Sequence, residues 1–237
     1  MLMEGRQRYV SPLWHRRPTS RRRTCTGSPR RVGARRGCIL VRRDEIDGLY
    51  NSFHVDNLES YIDRGVLSYM RAEHVPHRSV ADPGVQETRA GKLVPPDRRP
   101  LHSYANLYVN PRNTVTYRFI RDTVDAGGSA DDICVMRLST DVLDLPGVVV
   151  TDRNAASWPQ WMTPDAGIAA LDHADLFATY WSGKDHAQRM CAEVLVPDCV
   201  SPEFIQEVYV RSEVARKRAV PLCKSVPVTV KPSLFFE

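Results

Sequence analysis

YNSFHVDNLESYIDRGVLS, residues 50–68, runs from a short apolar strand into an amphipathic helix and a glycine stop. Phe53–Val55 is expected to be extended, and Asp56 stands where a helix N-cap belongs. Leu58, Tyr61 and Ile62 then share one face as far as Arg64, and Gly65 ends the helix. A second stretch, YWSGKDHAQRMCAEVLVP at 180–197, leads from polar residues into an apolar strand, Met190–Val196, that contains one glutamate, Glu193. A carboxylate in such a strand is costly unless it is paired or faces a cleft. Its plain alternative is the solvent face of an edge strand.

Between and beyond these stretches the chain reads as short strands with few helices. Residues 71–100 hold five prolines and few apolar side chains, which predicts a long loop with one helical turn at Val85–Arg89. A loop of that length in a compact domain is usually functional or disordered. Ala105–Val109 reads as a strand, and Asn113–Phe119 as a short helix or a second strand. Asp132–Leu138 and Leu145–Thr151 are β-prone, and residues 152–175 are irregular around Trp158 and Trp161. Ala174–Trp181 looks helical, while Ile205–Val210 and Val226–Val230 close the set of strands. This pattern predicts an α+β fold rather than a doubly wound α/β one.

Charge is unevenly placed. The chain has 237 residues and a net charge of +5, yet residues 1–43 carry thirteen arginines and one acid, a net +12, which leaves −7 for the rest. The basic character therefore belongs to a Ser/Pro/Gly-rich extension, drawn at residues 1–40, that has no periodicity and is expected to be disordered. Such a tail holds phosphates nonspecifically and is expected to be dispensable. The folded domain is drawn at 41–237. No apolar run reaches the ~18–20 residues of a membrane span, and the N-terminus lacks the apolar stretch and cleavage site of a secretory signal. The six cysteines form no C-x-x-C pair and no zinc-like spacing with histidine. They predict a reducing cytoplasm and no structural metal.

Taken together, the strand-to-helix unit HVDNL, the VQETR segment ending in Arg89, YANLYVNPRNTVTY at 104–117 and CAEVLV around Glu193 resemble the DarT family of toxins. The resemblance covers about residues 45–215. It implies an ADP-ribosyltransferase-like fold, a split mixed/antiparallel sheet with peripheral helices. It also implies transfer of ADP-ribose from NAD to a base of single-stranded DNA, thymidine or guanosine, with release of nicotinamide. NAD is then a donor substrate, no metal is needed, and a macrodomain antitoxin is the expected partner.

By the same resemblance Glu193 is catalytic, holding the ribose 2′-hydroxyl and steadying an oxocarbenium-like state, as carboxylates do in glycosidases. Arg89 falls at the family's essential arginine. A guanidinium is a rigid fork suited to a diphosphate, and it holds its protons too tightly to serve as a base. Asn51, Ser52 and Phe53 fall on the strand that cradles nicotinamide and its ribose, with His54, Ser60 and Ser68 at further NAD-contacting positions. The plain alternative for His54 is a structural histidine beside the next helix. Arg153, Asn154, Trp158 and Trp161, in the loop ahead of the Glu193 strand, are the expected DNA contacts. Tyr180 and Trp181 read as core residues of a short helix.

The chain departs from the family pattern in two places. Asn51 replaces the first histidine of Y-H-I-T-H, and the 104–117 stretch differs in its first half from YVPFYFxPRSPMLY. The second departure, together with LSYMRAEHVPHRSVADPGVQETR at 67–89, points to a distinct branch, and Asn51 is the feature that most favours an inactive module. Two other readings fit the residues: an ADP-ribosyltransferase with a protein or RNA acceptor, and an inactive module that binds nucleic acid through the basic tail.

Overall fold

The structure is a computed structural model that describes residues 39–236. The disorder expected of the basic extension, and the cysteines at 25 and 38, lie outside the described residues. Ile39 and Leu40 are already joined to the fold: the Ile39 carbonyl accepts from the His173 N–H, and Leu40 bridges to Asp172.

Along the chain run β1 (Leu49–His54), β2 (Val66–Leu67), β3 (Leu93–Val94), β4 (Arg99–Pro100), β5 (Tyr104–Tyr108), β6 (Ile133–Leu138), β7 (Val149–Thr151), β8 (Trp161–Met162), β9 (Glu193–Pro197), β10 (Cys199–Val200), β11 (Ile205–Val210) and β12 (Val228–Val230). The helices are α1 (Leu58–Arg64), α2 (Tyr69–Ala72), α3 (Pro83–Ala90), α4 (Thr114–Asp125), α5 (Pro164–Ala169), α6 (His173–Leu176), α7 (Lys184–Arg189) and α8 (Glu213–Ala219). One large sheet has the order β12-β11-β6-β1-β5-β9-β7-β8, and β2 with β10 and β3 with β4 form two small ribbons. Its pairs are antiparallel except β11 with β12, which is parallel.

The pairing is uneven in one place. β1 matches β6 residue for residue from Leu49↔Leu138 to His54↔Ile133, and β5 matches β9 from Tyr104↔Pro197 to Tyr108↔Glu193. Between β1 and β5 a single pair, Tyr50↔Tyr108, joins the two halves. The sheet is therefore split at its middle, as expected.

Burial follows strand periodicity. In β6, Cys134, Met136 and Leu138 face the larger core with Phe53, Leu58, Val194 and α8, whereas Ile133 and Val135 face a second core with Tyr50, Ile120 and Tyr209. A strand covered on both faces reads as a continuous apolar run, which is why ICVMRL looked central.

Several local expectations change. β1 starts at Leu49, and the turn into α1 is capped by the His54 side chain, whose Nδ1 accepts from the Asp56 N–H at 3.1 Å. Asp56 is not the cap, because a 3₁₀ turn at Val55–Asn57 precedes the helix. Gly65 does end α1: at φ +75°, a Cβ there would lie 1.8 Å from the Val200 carbonyl oxygen. The single turn expected at Val85–Arg89 is a full helix, α3, started by the Asp82 side chain and Pro83. Asn113–Phe119 is the cap and start of a twelve-residue helix, α4, because the Asn113 side-chain oxygen Oδ1 accepts from the N–H groups of both Val115 and Thr116. The irregular stretch 152–175 contains β8, α5 and most of α6, and the helix expected over Ala174–Trp181 stops at Leu176.

Candidate active site

The site lies at the split. Residues 77–89 form one wall of a cleft of about 800 Å³, a size usual for small-molecule sites. Side-chain clasps hold this wall in place. The Asn57 amide donates to the Arg78 carbonyl (2.8 Å) and accepts from the Arg78 N–H (2.7 Å). Asp82, the α3 cap, accepts a 2.6 Å bond from Arg118 of α4. The proline-rich stretch is thus a wall built around a helix rather than a loop.

α3 carries Arg89 to the floor of the cleft. Arg89 Nη1 donates to both carboxylate oxygens of Glu193, at 3.2 and 3.1 Å, across 104 positions of sequence. Glu193 Oε1 also accepts from the Ala155 backbone N–H at 2.9 Å. Its own N–H donates to Thr151 Oγ1 at 3.1 Å. Glu193 is wholly buried and Arg89 is 6% exposed, so the solvent-face alternative for Glu193 is excluded. The remaining N–H groups of the Arg89 fork lie at the cleft that Arg89 lines.

Around this pair stand groups that local sequence did not single out. Tyr108 pairs with Glu193 in the sheet register, and its phenol oxygen accepts from Asn106 Nδ2 at 3.1 Å. Burial and the neighbouring carboxylate hold its proton far more tightly than usual. In the sequence Tyr108 is one tyrosine of the 104–117 stretch with nothing local to set it apart. Its facing of Glu193 is a product of long-range pairing.

The β1 residues divide by role. Asn51 Nδ2 donates to the Asn106 carbonyl across the split at 3.0 Å, while its Oδ1 is buried with no hydrogen-bond partner. Ser52 is tied by a 2.6 Å hydroxyl contact to Thr116 of α4, and the Phe53 ring stacks on Tyr61 at 4.2 Å. All three line the cleft. His54 does not, and its cap bond gives it the structural place that was its plain alternative. Ser60 lines an alcove of about 60 Å³ that shares Asn57 and Tyr61 with the cleft. Ser68 is buried as the α2 cap, accepting from the Arg71 N–H at 3.4 Å.

The expected DNA contacts also separate. Trp158 is 94% exposed at the cleft margin, with Lys92 Nζ 5.3 Å from its ring centroid. Trp161 belongs to β8 and packs against Val94, Leu101 and Ala155. Arg153 is held by Asp152 (2.9 Å) and Asp185 (2.8 Å). Asn154 is buried and shapes its own loop, donating to the Gln188 carbonyl and accepting from the Ala156 N–H. Tyr180, expected in a helix core, is 81% exposed, whereas Trp181 packs edge-on against Tyr117 and Phe236.

Two histidines beside the site are biased toward the neutral form. Burial is the main cause for both His54 and His102, and for His102 the Arg89 charge adds to it. The unfolded chain takes up these protons near pH ~6.5 and the folded chain only below that. The unfolded state therefore binds more protons in this window, and stability falls as the pH drops through it. Thermal midpoints are expected to fall between pH 7.5 and 5.5. His54→Asn, which keeps a cap acceptor but cannot titrate, should flatten that fall. An unchanged slope in this variant would remove His54 from the explanation.

Among the described residues no group of three His, Cys, Asp or Glu could hold a metal, and no helix is long and apolar enough to cross a membrane. Cys134, Cys191, Cys199 and Cys223 are free thiols, and burial pushes Cys191 up to about 11.

A sheet split at its centre, with Arg89 lining the cleft and the wholly buried Glu193 paired behind it, fits the ADP-ribosyltransferase-like fold that the resemblance implies. The family described as "ssDNA thymidine ADP-ribosyltransferase, DarT" matches residues 50–236, and the chain belongs to that family. A DNA ADP-ribosyl transferase–DNA ADP-ribosyl glycohydrolase fusion protein of Thermosipho africanus is 31% identical over 196 residues. That match covers 79% of this chain and 49% of the relative, so the chain spans about half of that protein's length. Two solved structures of Thermus sp. 2.9 DarT share the fold at 22% identity. The complex with ADP-ribosylated ssDNA has a TM-score of 0.74, covering 84% of this chain and 100% of that one. The complex with NAD+ has a TM-score of 0.69, covering 81% and 98%.

Proposed function

We propose that this domain transfers ADP-ribose from NAD to a base of single-stranded DNA. The observation that carries this reading is the buried Arg89–Glu193 pair, whose arginine lines the same cleft as Asn51, a residue whose side-chain oxygen Oδ1 has no partner. The bond between ribose C1′ and the nicotinamide nitrogen breaks, and nicotinamide leaves with the bonding electrons. A ring nitrogen or exocyclic amine of the base attacks C1′, then loses its proton.

The residues fit these steps. Glu193 stabilises the sugar cation by charge and receives the ribose 2′-hydroxyl, and its buried setting strengthens that interaction. Arg89 uses one nitrogen on Glu193, leaving the rest of its fork for the diphosphate. Asn51 Oδ1, denied a protein donor, accepts from the nicotinamide carboxamide. The histidine-to-asparagine change at this position therefore keeps an acceptor where the carboxamide needs one. Ser52 and Phe53 shape the same wall, while Ser60 and Ser68 support the turn around it. Trp158 is the stacking face for the strand, with Arg153 and Asn154 fixing the loop that presents it and Trp161 anchoring that loop.

The lesion blocks replication, so the reading extends to a cytoplasmic toxin with a macrodomain antitoxin that removes the adduct. Support comes from the fusion of transferase and glycohydrolase in the Thermosipho relative. The test is incubation of the chain with NAD and single-stranded oligonucleotides lacking T or lacking G, followed by intact mass analysis. Adduct on one strand set and not the other names the base. NAD loss with no adduct on any strand would move the acceptor to protein or RNA.

A further inference from the structure

Lys92 was not among the residues expected to matter, yet it closes a circuit around the floor of the cleft. Its N–H donates to the Arg89 carbonyl at 3.1 Å, and its own carbonyl accepts from the Leu101 N–H at 2.9 Å, so its backbone is fixed at the end of α3. From there the side chain crosses to the loop 152–160, where Nζ donates to the Ser157 carbonyl and lies over the Trp158 ring. Ser157 is itself tied to Asn154 through its N–H (2.9 Å) and its hydroxyl (2.6 Å). The next residue, Ala155, gives its N–H to Glu193, and Glu193 holds Arg89.

We propose that Lys92 is a positioning residue that locks the Trp158 loop to the Arg89 helix, so that the acceptor base is delivered in register with Glu193. This rests on the DNA-transferase reading above. A lysine is suited to the task, because an ammonium presents three donors on a flexible stem and also binds an aromatic face. Without it the loop keeps its internal turns and the Ala155 bond to Glu193, but the segment carrying Ser157 and Trp158 loses its tie to the end of α3. Trp158, almost fully exposed, then has nothing to fix its ring. A one-ångström misplacement of a reacting group is enough to cost about a hundredfold in rate.

The test compares wild type with Lys92→Met, which keeps the stem and removes the ammonium, and with Lys92→Arg. Steady-state transfer is measured against an oligonucleotide and against NAD. Time-resolved anisotropy of the tryptophan emission is measured in the same chains, with Trp158→Phe identifying the Trp158 contribution. Lys92→Met is expected to raise KM for the oligonucleotide at least about tenfold and to shift KM for NAD by less than about threefold. It should also free the Trp158 ring to rotate faster. Lys92→Arg should recover most of both changes. Adding Lys92→Met to Trp158→Phe should then cost little more than Trp158→Phe alone.

An unchanged KM for DNA, equal rises for both substrates, or unaltered Trp158 anisotropy would each overturn the assignment. If wild type consumes NAD but modifies no DNA, the acceptor reading has failed. The anisotropy comparison still decides whether Lys92 holds the loop.

Discussion

Glu193→Gln is expected to reduce ADP-ribose transfer by about a thousandfold while leaving the domain folded. The amide keeps the volume, and its oxygen still accepts from the Ala155 N–H. On the proposed reading, what disappears is the negative charge beneath the ribose, carried by a wholly buried side chain. Loss of one preorganised electrostatic group in such a site costs about 10²–10³ in rate, and a full charge facing a developing cation belongs at the upper end. NAD binding should weaken only a few-fold, because the carboxylate acts mainly on the charge that develops as nicotinamide leaves. Single-turnover release of nicotinamide, together with calorimetric NAD affinity, checks both halves. Transfer at more than a tenth of the wild-type rate would take Glu193 out of the catalytic role.

Arg89→Ala is expected to be costly in two ways that can be separated. It leaves Glu193, wholly buried, with one backbone N–H in place of a cation. Breaking a buried ion pair from one side costs about 3–5 kcal/mol, which in a domain of this size lowers the thermal midpoint by roughly 10 °C. It also removes the guanidinium from the diphosphate, so turnover should fall by at least about a hundredfold. The double variant Arg89→Ala with Glu193→Gln should regain much of the lost midpoint and none of the activity. Recovery of stability without function would show that the pair is held together for chemistry, since a neutral floor folds as well. If the midpoint of Arg89→Ala matches wild type, the geometry assigned to the pair is wrong.

Much of this site was legible in the residues, and the pattern of what was missed has a physical cause. Glu193 stood out because its neighbours are apolar, but an exposed edge strand was open to it until its burial and its pairing with Arg89 were seen. The split sheet followed from short strands and the family's ordered motifs. The missed features depend on contacts distant in sequence. α4 looked ambiguous because its buried face includes Thr116 and Thr123 as well as Ile120, so its amphipathic stripe is partly polar. For α3, Asp82 and Pro83 form a start signal that was overlooked in a proline-rich stretch. Arg153 read as a ligand contact although its neighbour Asp152 already offers it a partner, and the second, Asp185, lies 32 residues away. Trp161 read so because the hairpin of β7 with β8 was not foreseen in an irregular stretch. Lys92 carries no motif at all. Its importance appears only once residue 157 is found beside it.

The single register pair between β1 and β5 has a wider consequence. Backbone donors and acceptors along a strand must be satisfied by another strand, by water or by a ligand. β1 satisfies its β6 edge along its whole length and its β5 edge at one point, bridged further on by the Asn51 amide. On the proposed reading, a donor bound between the half-sheets displaces solvent from an open edge and breaks no ladder. It completes a sheet that the polypeptide leaves unfinished, so the domain receives it without first coming apart.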